Sequence, residues 1–180
     1  MKVVILILLF AITLSDNASI IWNTLIKSGM TKAGAAGTMG NLDVESGLNS
    51  CIYQPSYRKK LGNITNQEYC DRVNKGTYTA KSFIHDSVGF GLAQWTFWSV
   101  KQELYETCKG QIGDLNCQLK YLIKSMKQYG PWSTLISSND VRTCSNAVLY
   151  KYFRPADEGI GIGNNRYNLA IKHYNRFKNI

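Results

Sequence analysis

One acidic residue, Glu45, combines a residue type and a position that suit acid catalysis. It lies at the end of a glycine- and alanine-rich segment that is predicted to be helical, two residues before Gly47. The negative end of the helix dipole lies close by, and its field favours the protonated form of a carboxylic acid. Such an acid can give a proton to a leaving oxygen, as cleavage of a glycosidic bond requires. The alternative is an exposed glutamate at a helix end with no part in chemistry.

A second candidate segment is Gly-Phe-Gly-Leu-Ala-Gln-Trp-Thr, at residues 89–96. Two glycines that flank an aromatic residue permit a bulge or a close approach of the backbone. Gln94, Trp95 and Thr96 then offer an amide, an aromatic face and a hydroxyl, which are groups that bind sugar rings. The alternative is an ordinary hairpin with a tryptophan in the core.

The elements that must position these residues are mainly helical. An apolar stripe over residues 21–26 predicts a helix that ends at Gly29, and Thr31 is the candidate N-cap of a second helix that reaches about Ser46. Glycines weaken this second helix by about 1 kcal/mol each, so they predict neighbours that pack very close. Residues 50–86 are predicted to be irregular, and residues 87–96 to form part of a small β-hairpin. Further stripes predict helices around residues 101–108, 115–126 (capped by Asp114), 141–152 and 167–177.

The N-terminus has the pattern of a secretory signal peptide. Met1 and Lys2 precede an unbroken apolar run over residues 3–12, which is shorter than the about 20 residues that span a bilayer. An uncleaved anchor is the alternative. We expect residues 1–15 to be removed and residues 16–180 to form one secreted, soluble catalytic domain without membrane insertion.

Composition narrows the choice of partners. The chain carries 21 Lys and Arg against 12 Asp and Glu, a net charge of +9. Nucleic acid would fit this charge, but the cations are scattered singly and are not massed in a basic run. The polyanionic surface of bacteria is the better match for a secreted cation, and a role in solubility alone is the alternative.

The five cysteines are Cys51, Cys70, Cys108, Cys117 and Cys144, and some should pair in an oxidising compartment. Because the number is odd, at least one is free or pairs with another chain. Pairings of Cys51 with Cys70 and of Cys108 with Cys117 are both geometrically possible. The sequence has no C-x-x-C motif, and its two histidines lie far apart, so we expect no metal and no cofactor.

Two motifs together carry a family resemblance. Residues 35–49 (AAGTMGNLDVESGLN), followed downstream by residues 89–96, strongly resemble the phage tail-associated lysozyme family. The similarity continues in order through residues 69–78, 112–115 and 154–157 and covers nearly the whole chain after residue 15. The Glu-Ser pair with a downstream Gly-Leu-x-Gln is also similar to goose-type lysozymes and lytic transglycosylases. The resemblance implies a mainly α (α+β) fold: a lysozyme-like helical bundle with a small β-hairpin wall beside a glycan cleft.

The resemblance also implies roles for single residues. Glu45 is expected to be the general acid, Gln94 the substrate-side glutamine, and Ser46 a residue that orders the end of the catalytic helix. Trp95, Thr96 and Asn41, the last on the same helical stripe as Glu45, complete the expected substrate-binding set.

The second carboxylate is the less determined part of the expected site. Asp86 precedes the Gly-Phe-Gly segment, where goose-type lysozymes also carry an aspartate one residue off in spacing. Its expected role is to position or deprotonate a water. Asp43 is a poorer choice, because two residues from Glu45 on a helix it points elsewhere. Thr96 stands where goose-type enzymes have a further Asp, and Phe153 where many tail lysozymes have a Glu.

Three functions remain open on the sequence. The first is a peptidoglycan muramidase, a glycoside hydrolase that cuts the β-1,4 bond between N-acetylmuramic acid and N-acetylglucosamine. The second is a lytic transglycosylase on the same bond, which needs only the glutamate because the sugar's own hydroxyl replaces water. The third is a peptidoglycan-binding domain without turnover. In each case the expected partner of a monomeric protein is bacterial peptidoglycan and not nucleic acid.

Overall fold

The computed structural model describes residues 17–155 and 160–180, so the predicted signal peptide lies outside the described residues. Within these ranges the protein is mainly helical, and each helix is too short or too polar to traverse a lipid bilayer. Short 3-10 and π-helical turns occur at Pro55–Tyr57 and Leu149–Phe153. The α-helices are α1 (residues 17–27), α2 (Lys32–Ser46), α3 (Asn66–Asn74), α4 (Ala80–His85), α5 (Trp98–Thr107), α6 (Leu115–Tyr129), α7 (Trp132–Ser137), α8 (Val141–Val148) and α9 (Ile160–Phe177).

The described residues fall into two compact units. The first comprises residues 17–44, 123–155 and 160–180, and the second comprises Glu45–Leu122. In the first unit α8 packs against both α7 and α9, and Trp22 of α1 stacks on Phe177 of α9 with ring centroids 5.2 Å apart.

Glycines of α2 pack very close to neighbouring helices in the first unit, as predicted. Helix α2 begins as expected, since the Thr31 hydroxyl accepts a hydrogen bond from the Gly34 N–H at 2.9 Å. A Cβ atom built on Gly37 would lie 2.6 Å from the Ser145 backbone nitrogen, and one built on Gly40 would lie 2.5 Å from the Ala170 backbone nitrogen. These positions therefore exclude any side chain, which is why the sequence accepts their unfavourable helix propensity.

Two of the second unit's helices differ from the prediction. Helices α3 and α4 lie in the stretch that was predicted to be irregular. A complete capping box starts α3: the Thr65 hydroxyl accepts from the Glu68 N–H at 3.1 Å, and the Glu68 carboxylate accepts from the Thr65 N–H at 2.7 Å. The Thr-x-x-Glu spacing was thus a local signal for this helix. The predicted cap at Asp114 is confirmed, since its carboxylate accepts from the Cys117 N–H at 2.7 Å.

The predicted small β-hairpin is not supported. Among the described residues there is no strand, and Phe90 forms only isolated antiparallel bridges with Trp95 and with Tyr53. The chain reverses directly after Phe90, because Gly91 and Gln94 have φ angles of +73° and +48°. A turn of this kind ends the extended backbone before a second residue pair can form.

Both disulfides lie in the second unit. Cys51 pairs with Cys70, and Cys108 pairs with Cys117. The fifth cysteine, Cys144, is free and buried, and burial raises the pKa of its thiol.

We expect a single reactive thiol in denatured, unreduced protein and slow labelling of that thiol in native protein, because a buried, protonated thiol is a poor nucleophile. Thiol titration with and without denaturant measures both states. Three or more free thiols in the denatured protein would contradict the disulfide assignment.

Substitution Gly37→Ala should lower the free energy of unfolding by about 1–3 kcal/mol, because the new methyl group meets backbone atoms that cannot rotate away. Gly161→Ala on α9 is the matched control. No described atom lies within 4 Å of a Cβ there, so the better helix propensity of alanine should leave stability unchanged or improved. Urea unfolding compares the two, and an equal effect of both substitutions would refute the packing argument.

Candidate active site

Glu45 lies in the last turn of α2 and is half-buried. The helix ends one residue later, at Ser46, because Gly47 and Leu48 both take left-handed backbone conformations, with φ angles of +59° and +62°. A left-handed backbone conformation is unfavourable for leucine. Burial of the Leu48 side chain, which is 5% exposed, compensates for that conformational cost. The turn that follows Glu45 is therefore held by the core, and Ser46 beside it is also buried.

Asp86 lies at the end of α4 and accepts hydrogen bonds on both carboxylate oxygens. Oδ1 accepts from the Lys101 ammonium, in a salt bridge, and from the Val88 N–H at 2.8 Å. Oδ2 accepts from the hydroxyls of Tyr69 at 2.5 Å and of Tyr78 at 3.3 Å. Because a carboxylate has about four lone-pair sites, these four donors occupy its whole acceptor capacity.

The ion pair between Asp86 and Lys101 is buried. The Lys101 side chain is 0% exposed and that of Asp86 is 7% exposed. Burial lowers the pKa of Lys101, and the negative charge of Asp86 acts in the opposite direction. Burial, reinforced by the Asp86 charge, raises the pKa of Tyr78 to about 12 and raises the pKa of Tyr69 as well. Both phenols are therefore protonated donors at neutral pH.

The segment 89–96 is fixed by backbone contacts on one side and by Gln118 on the other. The Gln54 N–H donates to the Gly89 carbonyl at 2.8 Å, and the Gly91 N–H donates to the Ile52 carbonyl at 2.8 Å. The fully buried Gln118 side chain accepts from the Leu92 N–H at 2.9 Å. A Cβ on Gly91 would lie 2.6 Å from the same amide, so this turn requires glycine.

The predicted sugar-binding residues of this segment differ in exposure. The Gln94 amide is half-buried and donates to the Gly91 carbonyl at 3.1 Å. Trp95 is 5% exposed and packs edge-on against Tyr121, with ring centroids 5.3 Å apart. Thr96 is exposed, and its hydroxyl donates to the Gln94 carbonyl at 2.9 Å. The most exposed aromatic side chains of this stretch are instead Phe97 and Trp98, at 77% and 58%.

Asn41 lies in the first unit and is fully buried. Its amide nitrogen donates to the Gly37 carbonyl at 2.9 Å and to the Ser145 carbonyl at 3.1 Å, and its amide oxygen accepts from Arg166 at 3.2 Å. Asn41 thus uses its polar atoms on its own unit. The other predicted site residues, Glu45, Ser46, Asp86, Gln94, Trp95 and Thr96, all belong to the second unit.

Sequence reasoning missed the residues that hold Asp86 and the Gly91 turn. Lys101 stood among apolar residues in a predicted helical stripe, and a lysine in that position is a signal for a buried cation that needs an anionic partner. Nothing in the sequence named Asp86 as that partner. Gln118 carried a similar signal, since it lies beside Leu119 on a helix that faces the core.

The chain matches the family model of phage tail lysozymes over residues 16–177. It is a member of the phage tail lysozyme family. The match spans nearly all of the chain, as the two sequence motifs predicted. Lysozymes are enzymes that lyse the peptidoglycan of bacterial walls. A search of curated proteins finds no match to this chain.

Removing the Lys101 charge alone should lower the stability of the protein. Lys101→Met leaves the buried Asp86 carboxylate without its counter-charge and should lower the free energy of unfolding by about 3–5 kcal/mol. The double variant Lys101→Met/Asp86→Asn removes both charges and should regain most of that loss. Lys120→Met, at an exposed site on α6, should change stability by less than about 0.5 kcal/mol. Urea unfolding measures all three, and a double variant as unstable as Lys101→Met would contradict the ion-pair argument.

Proposed function

We propose that this protein is a secreted muramidase that hydrolyses the β-1,4 bond between N-acetylmuramic acid and N-acetylglucosamine, with Glu45 as the general acid. The observation that carries the proposal is the position of Glu45. It is a half-buried carboxyl group at the held C-terminal end of α2, in a chain that matches phage tail lysozymes over residues 16–177.

In the proposed reaction Glu45 gives its proton to the glycosidic oxygen as the bond to the anomeric carbon breaks. Positive charge then develops on the sugar ring, and a water molecule attacks the anomeric carbon. Asp86 is the proposed group that orients this water and accepts its proton, and Gln94 and Thr96 are proposed to contact the sugar hydroxyls.

To bind water Asp86 must release one of its four donors. The two tyrosine hydroxyls share Oδ2, and that of Tyr78 lies 3.3 Å away whereas that of Tyr69 lies 2.5 Å away. The longer bond is the weaker of the two. Tyr78 is therefore the donor that water would displace.

One observation favours a second candidate function, that of a lytic transglycosylase. The carboxylate of Asp86 already accepts four hydrogen bonds from Lys101, Val88, Tyr69 and Tyr78. A transglycosylase needs no water-activating carboxylate, because a hydroxyl of the muramic acid residue itself attacks the anomeric carbon. In that reaction Asp86 would serve only to anchor the end of α4.

Secretion is supported by the two disulfides and by the predicted signal peptide over residues 1–15. We propose residues 16–180 as the catalytic domain and peptidoglycan as its substrate. The monomeric state stays a prediction.

Glu45→Gln should reduce the rate of peptidoglycan clearing by about 10²–10⁴-fold, because it preserves the shape of the side chain and removes the proton. Glu106→Gln is the matched control, since Glu106 is an exposed glutamate near the end of α5, and it should leave the rate unchanged. Turbidity clearing of purified walls measures both variants after circular dichroism has shown them folded. Clearing by Glu45→Gln at the control rate would remove Glu45 from the mechanism.

Asp86→Asn separates a chemical role of Asp86 from a structural one. If Asp86 activates water, the single variant should lose hydrolysis while it still binds glycan, and the double variant Asp86→Asn/Lys101→Met should stay inactive even where its stability is regained. If Asp86 is only an anchor, activity should return together with stability in the double variant. The measurements are wall binding, clearing rate and urea unfolding for each variant, and recovery of activity would contradict the proposed role.

A further inference from the structure

The second unit contains a cavity of about 610 Å³ beside the end of α4. Its charged lining residues are Lys60, Arg72, Lys81 and Asp86, and the lining also includes apolar residues such as Val88. The volume lies within the range of small-molecule sites in proteins.

The cavity has an excess of positive charge. Among its lining residues Asp86 is the one acidic group, and the buried ammonium of Lys101 already compensates it. Three lining cations, Lys60, Arg72 and Lys81, are exposed. The lining residues therefore carry a net positive charge, which comes from the three outer cations.

Two of these cations, Lys60 and Lys81, are not consumed by ion pairs within the part of the chain that is described. Lys60 lies over the Tyr57 ring at 5.2 Å, and neither Lys60 nor Lys81 forms a salt bridge with a described residue. Arg72 also interacts electrostatically with Glu68. A guanidinium can hold two oxygens of a phosphate or carboxylate at once, and a lysine adds a mobile point charge.

An aromatic edge borders the same cavity. The His85 ring lines it and stacks on the Trp98 ring, with centroids 6.0 Å apart and planes at 22°. Trp98 is 58% exposed, so its indole is partly accessible to a sugar ring. Cations and an exposed aromatic face together suit a sugar that carries an anionic substituent.

We infer that this cavity binds an oxyanion of the bacterial wall, held by Lys60, Lys81 and Arg72, with the attached sugar against Trp98. The shared chemistry is a phosphate or carboxylate group on a glycan. Its two sources are the phosphodiesters of anionic wall polymers and the carboxylates of peptidoglycan itself. The assignment of the oxyanion to the bacterial wall rests on the proposed function. The assignment of the cavity as an anion-binding site does not.

The test compares two double variants in the full chain that carries Glu45→Gln, so that binding is measured without cleavage. Lys60→Gln/Lys81→Gln removes two cations from the cavity. Lys120→Gln/Lys172→Gln removes the same charge from exposed lysines that do not line it. Each is bound at low temperature to purified walls that are untreated, stripped of phosphodiester polymers with hydrofluoric acid, or amidated on their carboxylates, and cleavage is followed in parallel.

On untreated walls the cavity variant should bind about three- to tenfold more weakly than the control variant, as expected for the loss of two exposed charge contacts. The treatment that abolishes this difference identifies the phosphodiester or the carboxylate as the ligand. Equal binding of the two variants on untreated walls, or a difference that survives both treatments, would overturn the inference. Cleavage by the Glu45→Gln background at the rate of the unsubstituted protein would instead count against the proposed function, while the comparison of binding would still stand.

Discussion

The position of the last turn of α2 depends on one constraint. The backbone of two neighbouring helices closely approaches the glycines of α2. Gly37 and Gly40 lie against the backbone of α8 and α9, with no room for a side chain at either position. A helix packed in this way has little freedom to slide or rotate within its unit. Glu45, the proposed general acid, lies in the last turn of that helix, and a general acid acts only when its proton is held at a fixed place. The unusual glycine content of α2 therefore serves the position of its final turn.

Burial of one charge organises much of the second unit. The Asp86 carboxylate joins the end of α4 to Lys101 of α5, to Tyr69 of α3 and to Tyr78 in the intervening loop. The Lys101 ammonium also donates to the Val88 carbonyl at 3.0 Å and lies 4.2 Å from the centre of the Phe83 ring. An isolated charge at such a site would be costly, and the network is tolerated because every member has a partner. The same network limits what Asp86 can do as a base.

Whether a feature could be predicted from the sequence depended largely on how far apart in the chain the residues that determine it lie. The N-caps at Thr31 and Asp114 are local, and both were found. The capping box of α3 was equally local but lay in a stretch without a clear apolar period. The turn at Gly91 depends on Gln118, which is distant in sequence, so the hairpin prediction had no means of detecting it. Trp95 was predicted to bind sugar, and the structure shows it packed against Tyr121 in the core. The role of Glu45 stays a proposal, on which family resemblance and helix position agree.

The most direct test of the account is the chemistry of the product ends. Purified peptidoglycan is digested in water enriched in 18O, the products are reduced at once, and their ends are analysed by mass spectrometry. Hydrolysis assisted by Glu45 predicts N-acetylmuramic acid ends that each carry one 18O atom from water. Unlabelled ends in the 1,6-anhydro form would show that no water enters the reaction, and they would contradict the muramidase mechanism.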